Sequence, residues 1–149
     1  MKIISFAWTT PAIYAKRKTC TRRDWNDVYA GRFQAGEMVA GYNRSQRFGG
    51  RQIAVVHLTE KPYKEPLCNV SDSDWEAEGF AYLTEIGARV NGMTPLQLWE
   101  IWKHTPDPEW VIRFEIVELT SQGNFEHTGN REAVLQCPLC FAEYLGNKQ

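Results

Sequence analysis

Residues 109–119 read EWVIRFEIVEL. Ile112, Phe114 and Ile116 fall to one side and Arg113 and Glu115 to the other, the period of a half-buried strand. Residues 49–59, GGRQIAVVHLT, supply a counterpart. A Gly-Gly turn there feeds IAVVHL, a nearly all-apolar, β-branched run that reads as a buried strand. Two such strands, far apart in the chain, call for a sheet, and the segments between them decide its surroundings.

Working outward, MKIISFAW (1–8) is a strand-like opening, and AGEMVAGY (35–42) is a turn followed by a strand. The latter lies close enough to IAVVHL to form a hairpin with it. Thr10 at the N-cap and Pro11 at the first position predict a short helix over about residues 11–17. Asp24 is placed to cap another through WNDVYAG. EKPYKEPL (60–67) holds two prolines and reads as loop. Ser71 and Asp74 have capping-box spacing and predict a helix over about 72–90. Thr94, Pro95 and Gln97 repeat that signal more completely and start a helix carrying Trp99 and Trp102 on one face, a core stripe. TPDPE ends it. The sum is an α+β fold: four or more strands in a partly closed β-barrel, with three or four short helices around it.

At 149 residues, 43% apolar and 23% charged, the chain reads as one domain able to bury a core without cross-links. No run is long and apolar enough for a membrane span or a signal peptide, so a cytoplasmic location without membrane partners is expected. Cys20, Cys68, Cys137 and Cys140 then read as thiols. CPLC (137–140) has metal-ligand spacing, but a tetrahedral site needs two more ligands and no second C-x-x-C exists. No metal and no cofactor is expected. His57, inside the apolar run, reads as a satisfied core histidine.

Charge is unevenly spread. Residues 1–51 hold ten Lys or Arg against Asp24, Asp27 and Glu37, whereas residues 52–149 hold seven against fifteen acids. The densest stretch is KRKTCTRRDW (16–25), with five cations in its first eight residues. A turn at this point would offer backbone N–H groups and cationic side chains to an anion. Trp25 and Tyr42, with Trp8 and Phe48, lie in the same basic half, a combination suited to stacking an unpaired base beside its phosphate. Arg17, Lys18, Thr21, Arg22, Arg23, Trp25 and Tyr42 are therefore the candidate ligand contacts.

Lys18, Thr21 and Arg23 have the form K-x-x-T-x-R, and KRKTCTRR resembles the signature of the ASCH domain family of the PUA-like superfamily. FQAGEMVAGY, GGRQIAVVHLT, DWEAEGFAYL, LWEIWKH and EWVIRFEIVEL resemble its further segments in order, over about residues 2–119. The likeness is to the branch often found in phage and bacterial genomes. Lys16 departs from it by standing where the family has glycine; if that position needs a positive φ, the turn must be relaxed here. Residues 120–149 lie beyond the resemblance, as an extension to a single domain of 1–149.

The resemblance implies a barrel with a signature-lined cleft that binds RNA, a modified base or a nucleoside. It also implies an alternative, because one ASCH subfamily comprises small amidohydrolases that deacetylate N4-acetylcytidine. Their lysine and threonine match Lys18 and Thr21. Their glutamate maps to Glu78, with Glu76 as the other candidate. Thr21 would attack if Lys18 were neutral, with Arg17, Arg22 and Arg23 pressing its pKa down; or Glu78 would activate water while Lys18 holds the negative charge. A third reading is a protein-interaction module without chemistry.

Overall fold

One strand, Pro108–Leu119, organises the sheet, because three others pair with it along its length. The computed structural model describes residues 1–120. In chain order the strands are β1 (Ile3–Ser5), β2 (Cys20–Arg23), β3 (Met38–Tyr42), β4 (Gln52–Leu58), β5 (Tyr63–Pro66) and β6 (Pro108–Leu119). The helices are α1 (Thr10–Tyr14), α2 (Asp27–Ala30), α3 (Asp74–Ala77), α4 (Phe80–Glu85) and α5 (Pro95–Lys103). The sheet order is β1-β3-β4-β6-β2, with β5 also on β6. β1 runs parallel to β3 and every other pairing is antiparallel.

This is a mixed α+β fold with a curled, open half-barrel. Register shifts at Gly41/Tyr42 and Val55/Val56 mark the irregularities that bend such a sheet. The alternation in β6 holds: Ile112 and Phe114 are buried, Ile116 packs against the same core and Glu115 is exposed. Their core gathers Ile4, Phe6, Val39 and Ile53 inside the curl. Fully burying one such side chain contributes about 1.5–3 kcal/mol. A second cluster, Phe80, Leu83, Val90 and Trp99 with Trp75 and Trp102 against it, holds the helices together.

Several local expectations are corrected. EKPYKEPL is not all loop, because Pro62 and Pro66 only bracket β5 and leave its centre free to pair. The basic stretch is not a turn: Cys20–Arg23 is a strand on β6. Asn26, not Asp24, caps α2, accepting from the Tyr29 N–H at 2.8 Å. α1 takes Thr9 as N-cap, one residue earlier than expected. Ser71 and Asp74 form no capping box, since Ser71 pairs with the Ser73 hydroxyl and Asp74 turns inward. Thr94 and Gln97 do form one. His57 is not a core residue; its ring meets Glu115 at 3.1 Å on the outer face. The CPLC segment lies outside the described residues.

The single helix expected over 72–90 is two, α3 and α4, broken at Gly79 with φ 92°. A Cβ there would lie 2.6 Å from the Ala12 Cβ and 3.6 Å from that of Lys18. Lys16 keeps a left-handed conformation, φ 61°, so the turn is not relaxed and the lysine carries the strain. Two substitutions test these positions by thermal or urea unfolding. Gly79→Ala should destabilise by more than about 1–2 kcal/mol, from φ alone before the clash. Lys16→Gly should gain up to about 1 kcal/mol, relieved strain less the entropy of glycine.

Candidate functional site

Strand β2 has two faces, and the signature divides between them. Successive side chains of a strand point to opposite sides. Cys20 and Arg22 face the helices together with Lys18, which precedes the strand. Thr21 and Arg23 face the other way.

On the helix side a buried ionic cluster forms around Arg22. Its guanidinium donates to Glu78 Oε2 at 2.7 Å, to Asp74 Oδ2 at 2.7 Å and to Glu65 Oε1 at 2.9 Å. Arg113 from β6 completes Asp74 with bonds of 3.0 and 2.9 Å. Lys18 Nζ donates to the Glu78 carbonyl at 2.7 Å and lies 3.2 Å from its carboxylate Oε1. The Lys18 and Glu78 side chains are only 1% and 3% exposed. Burial pushes the Lys18 amine below its ordinary pKa; Glu78 opposes this and Arg23 adds to it. Cys20 lies beside the carboxylate, its Sγ 3.5 Å from Glu78 Oε2, and burial raises its thiol pKa. It is no ready nucleophile.

Lys18 and Glu78 thus meet, across sixty positions of sequence. Glu76 does not join them: with Glu85 it grips Arg17 at the surface. Arg17 and Arg22, expected to face a ligand, are both held by carboxylates of the chain itself. Thr21 is buried, but its hydroxyl accepts from Arg23 Nε at 3.2 Å rather than meeting the Lys18–Glu78 pair.

The other face opens on a seam. β1 and β2 end the sheet order and do not pair with each other. Arg23 spans the gap, donating from Nη2 to the Ser5 carbonyl. Burial holds its guanidinium below the usual range, and no carboxylate forms an ion pair with it among the described residues. The seam is a groove of about 500 Å³ lined by Ile3–Ser5, Arg23, Trp25, Tyr29 and Ser45–Arg47. Ala40 N–H bonds to the Lys2 carbonyl and Phe6 N–H to the Tyr42 carbonyl, at 2.9 and 2.8 Å. The alternation of a parallel pair therefore turns the backbone groups of Ile3 and Ser5 toward the free edge. Trp25 stacks on Phe33, ring centroids 4.6 Å apart and planes 18° apart, which fixes its orientation. Tyr42 is outside the lining; its hydroxyl accepts from Gln46 at 3.2 Å.

Sequence reasoning missed Asp74, Glu65 and Arg113 in the cluster and Ser5, Tyr29 and Arg47 in the seam. Asp74 was visible as a helix-start residue, but its partners lie 52 and 39 positions away.

No family model matches the chain, and no curated protein is detectably similar to it. Among solved structures it is similar to protein EF3133 from Enterococcus faecalis V583, of the family model DUF984. The TM-score is 0.50 at 21% identity, covering 85% of this chain and 84% of that one. At that identity the likeness is one of fold. No helix among the described residues is long and apolar enough to cross a membrane.

Asp74 offers a test of the cluster. Burial alone would raise its pKa, but the bonds from Arg113 and Arg22 outweigh this and hold it below the ordinary 3.8. Its contribution to stability is therefore fully present above pH 3.8 and lost as pH falls through the lower folded value. Asp74→Asn should cost about 3–5 kcal/mol at neutral pH, because two arginines lose a buried anion. It should also flatten that part of the acid-unfolding curve, followed by tryptophan fluorescence.

Proposed function

We propose that this chain is an ASCH-type domain that binds RNA, or a single nucleobase or nucleoside, in the seam between β1 and β2. The observation that carries the reading is the seam's composition. It combines an oriented indole (Trp25), a guanidinium with no carboxylate partner among the described residues (Arg23) and backbone polar groups of Ile3 and Ser5 turned to the open edge, the Ser5 carbonyl held by Arg23. A nucleobase needs these elements: a flat apolar partner, and donors and acceptors at its edge. Arg47 at the rim suits a phosphate. The basic contacts differ from those the sequence suggested, since Arg17 and Arg22 are already neutralised.

Titration of cytidine and of N4-acetylcytidine, followed by tryptophan fluorescence and calorimetry, tests this. Trp25→Ala should weaken binding by about tenfold or more, the usual scale of one lost base–aromatic stack. Wild-type protein that binds neither nucleoside nor RNA at low salt defeats the proposal.

The amidohydrolase reading keeps one supporting observation, the buried approach of the Lys18 amine to the Glu78 carboxylate at 3.2 Å. An amine with a lowered pKa beside a carboxylate is a suitable proton-transfer pair. Against it, the pair is sealed in this conformation and Thr21 bonds elsewhere. Incubation with N4-acetylcytidine should release cytidine if this reading holds, and Lys18→Ala should lower turnover by about 10²-fold or more. Thr21→Ser should then retain more activity than Thr21→Ala.

A further inference from the structure

The basic stretch 16–23 is largely consumed inside the protein. Exposed arginines that form no ion pair among the described residues stand on the hairpin joining β3 to β4. Residues 38–59 contain no Asp or Glu. Within them Arg44, Arg47 and Phe48 are exposed, Phe48 at 70%. Neither Arg44 nor Arg47 forms an ion pair among the described residues.

A charged loop is usually only a solvated face. Three features set this one apart. The first is bracing. Ser45 caps a 3-10 turn over Gln46–Phe48 by accepting from the Arg47 N–H at 3.3 Å. Gly50 N–H returns to the Ser45 carbonyl at 3.0 Å, and Arg51 N–H to Asn43 Oδ1 at 2.8 Å. Gly49 takes φ 83°, and a Cβ on Gly50 would fall 1.8 Å from the Arg44 carbonyl oxygen. These bonds brace the loop, so less ordering entropy remains to be lost on binding. The second feature is chemical: the Arg47 guanidinium lies 5.6 Å from the Phe48 ring centroid, so an exposed aromatic face and a cation are presented together. The third is continuity. Ser45, Gln46 and Arg47 also line the seam, so the groove runs onto the hairpin without a break.

We infer that the hairpin is a second contact for a single-stranded polynucleotide, one base of which occupies the seam. Phe48 stacks a flanking base, and Arg44 and Arg47 take flanking phosphates. This rests on the proposed reading of the seam and, among the ligands named there, selects a strand over a free nucleoside. A free nucleoside reaches the seam and gains nothing from Phe48 or Arg44.

The test compares cytidine with a labelled single-stranded RNA of about a dozen nucleotides, within the site sizes such proteins cover. The proteins are wild type, Phe48→Ala, Arg44→Ala and Trp25→Ala, each checked for an unchanged melting temperature. Both hairpin changes lie on the surface and leave the core intact. Phe48→Ala should weaken RNA binding by about tenfold and leave cytidine binding unchanged. Arg44→Ala should lower the magnitude of the log–log salt slope by about 0.7, one phosphate contact on a single strand. If both variants bind RNA as wild type does, or if RNA binds no tighter than cytidine, the hairpin contact is overturned while a Trp25-dependent cytidine site stands. If RNA binding needs Phe48 and Arg44 but not Trp25, and cytidine does not bind, the hairpin contact is upheld and the seam reading falls. Absence of any RNA binding overturns the hairpin contact, and absence of cytidine binding as well overturns the seam reading with it.

Discussion

Arg22 is the point on which the two layers of the protein meet. It comes from the sheet, and its buried guanidinium binds Glu78 and Asp74 from the helical layer and Glu65 from β5. Taking so many charges out of water is costly, and only dense mutual bonding offsets it. That explains the number of partners: three cations, Lys18, Arg22 and Arg113, stand among three carboxylates. An apolar cluster of the same volume would hold the layers as firmly. What the ionic one adds is direction, since each bond fixes a particular atom of β2 against a particular atom of the helices. The break at Gly79 belongs to the same arrangement, because it ends α3 at Glu78 and lets that residue offer both its carbonyl and its carboxylate to Lys18.

This cluster also marks where the sequence could and could not be read. β4, β6 and α5 were legible because their signals are local: period-two alternation, a β-branched run, and a cap with its partner three residues on. β2 was not, because CTRR has no apolar alternation and is held as a strand by β6, some ninety positions later. β5 was hidden by its flanking prolines. The helix over 72–90 was read as continuous because Gly79 inside a periodic pattern looks tolerable until Ala12 is seen packed against it. The meeting of Lys18 with Glu78 was legible only through a resemblance. Charge density along a chain points to Arg17 and Arg22 as ligand contacts because it carries no information about distant carboxylates. Folding brought Glu76 and Glu85 to the first, and Glu65, Asp74 and Glu78 to the second.

The alternation of β2 then has a consequence for function. A strand that spends one face on structure has the other available. Cys20 and Arg22 are fixed to the helices, so Thr21 and Arg23 are fixed on the opposite face, Thr21 buried and Arg23 lining the seam. The Arg23 guanidinium reaches the Ser5 carbonyl across the gap between β1 and β2, the ends of the sheet order. A closed barrel would have no free strand edge there and no groove. The incompleteness of the barrel is thus what leaves the groove open, and the buried cluster behind β2 ties that strand to the helical layer on its other face.

The same logic accounts for the uneven charge of the chain. The basic and acidic excesses of its two parts meet in part within the described fold. Much of the first is drawn into contact with the second: Arg17 with Glu76 and Glu85, Arg22 with Glu65, Asp74 and Glu78, Lys18 with Glu78. Exposed pairs such as Arg17 with Glu76 contribute little to stability, whereas the buried ones decide the packing. What survives is selective. The acid-free run 38–59 builds two central strands whose inner faces are apolar, so its charges have only the connecting hairpin on which to stand. That hairpin rises beside the seam because β3 is the partner of β1, the strand whose other edge is open. Sheet order therefore places Arg44 and Arg47 on the hairpin beside the groove, and the juxtaposition on which the proposed binding rests follows from strand pairing rather than from the charge run that first draws the eye.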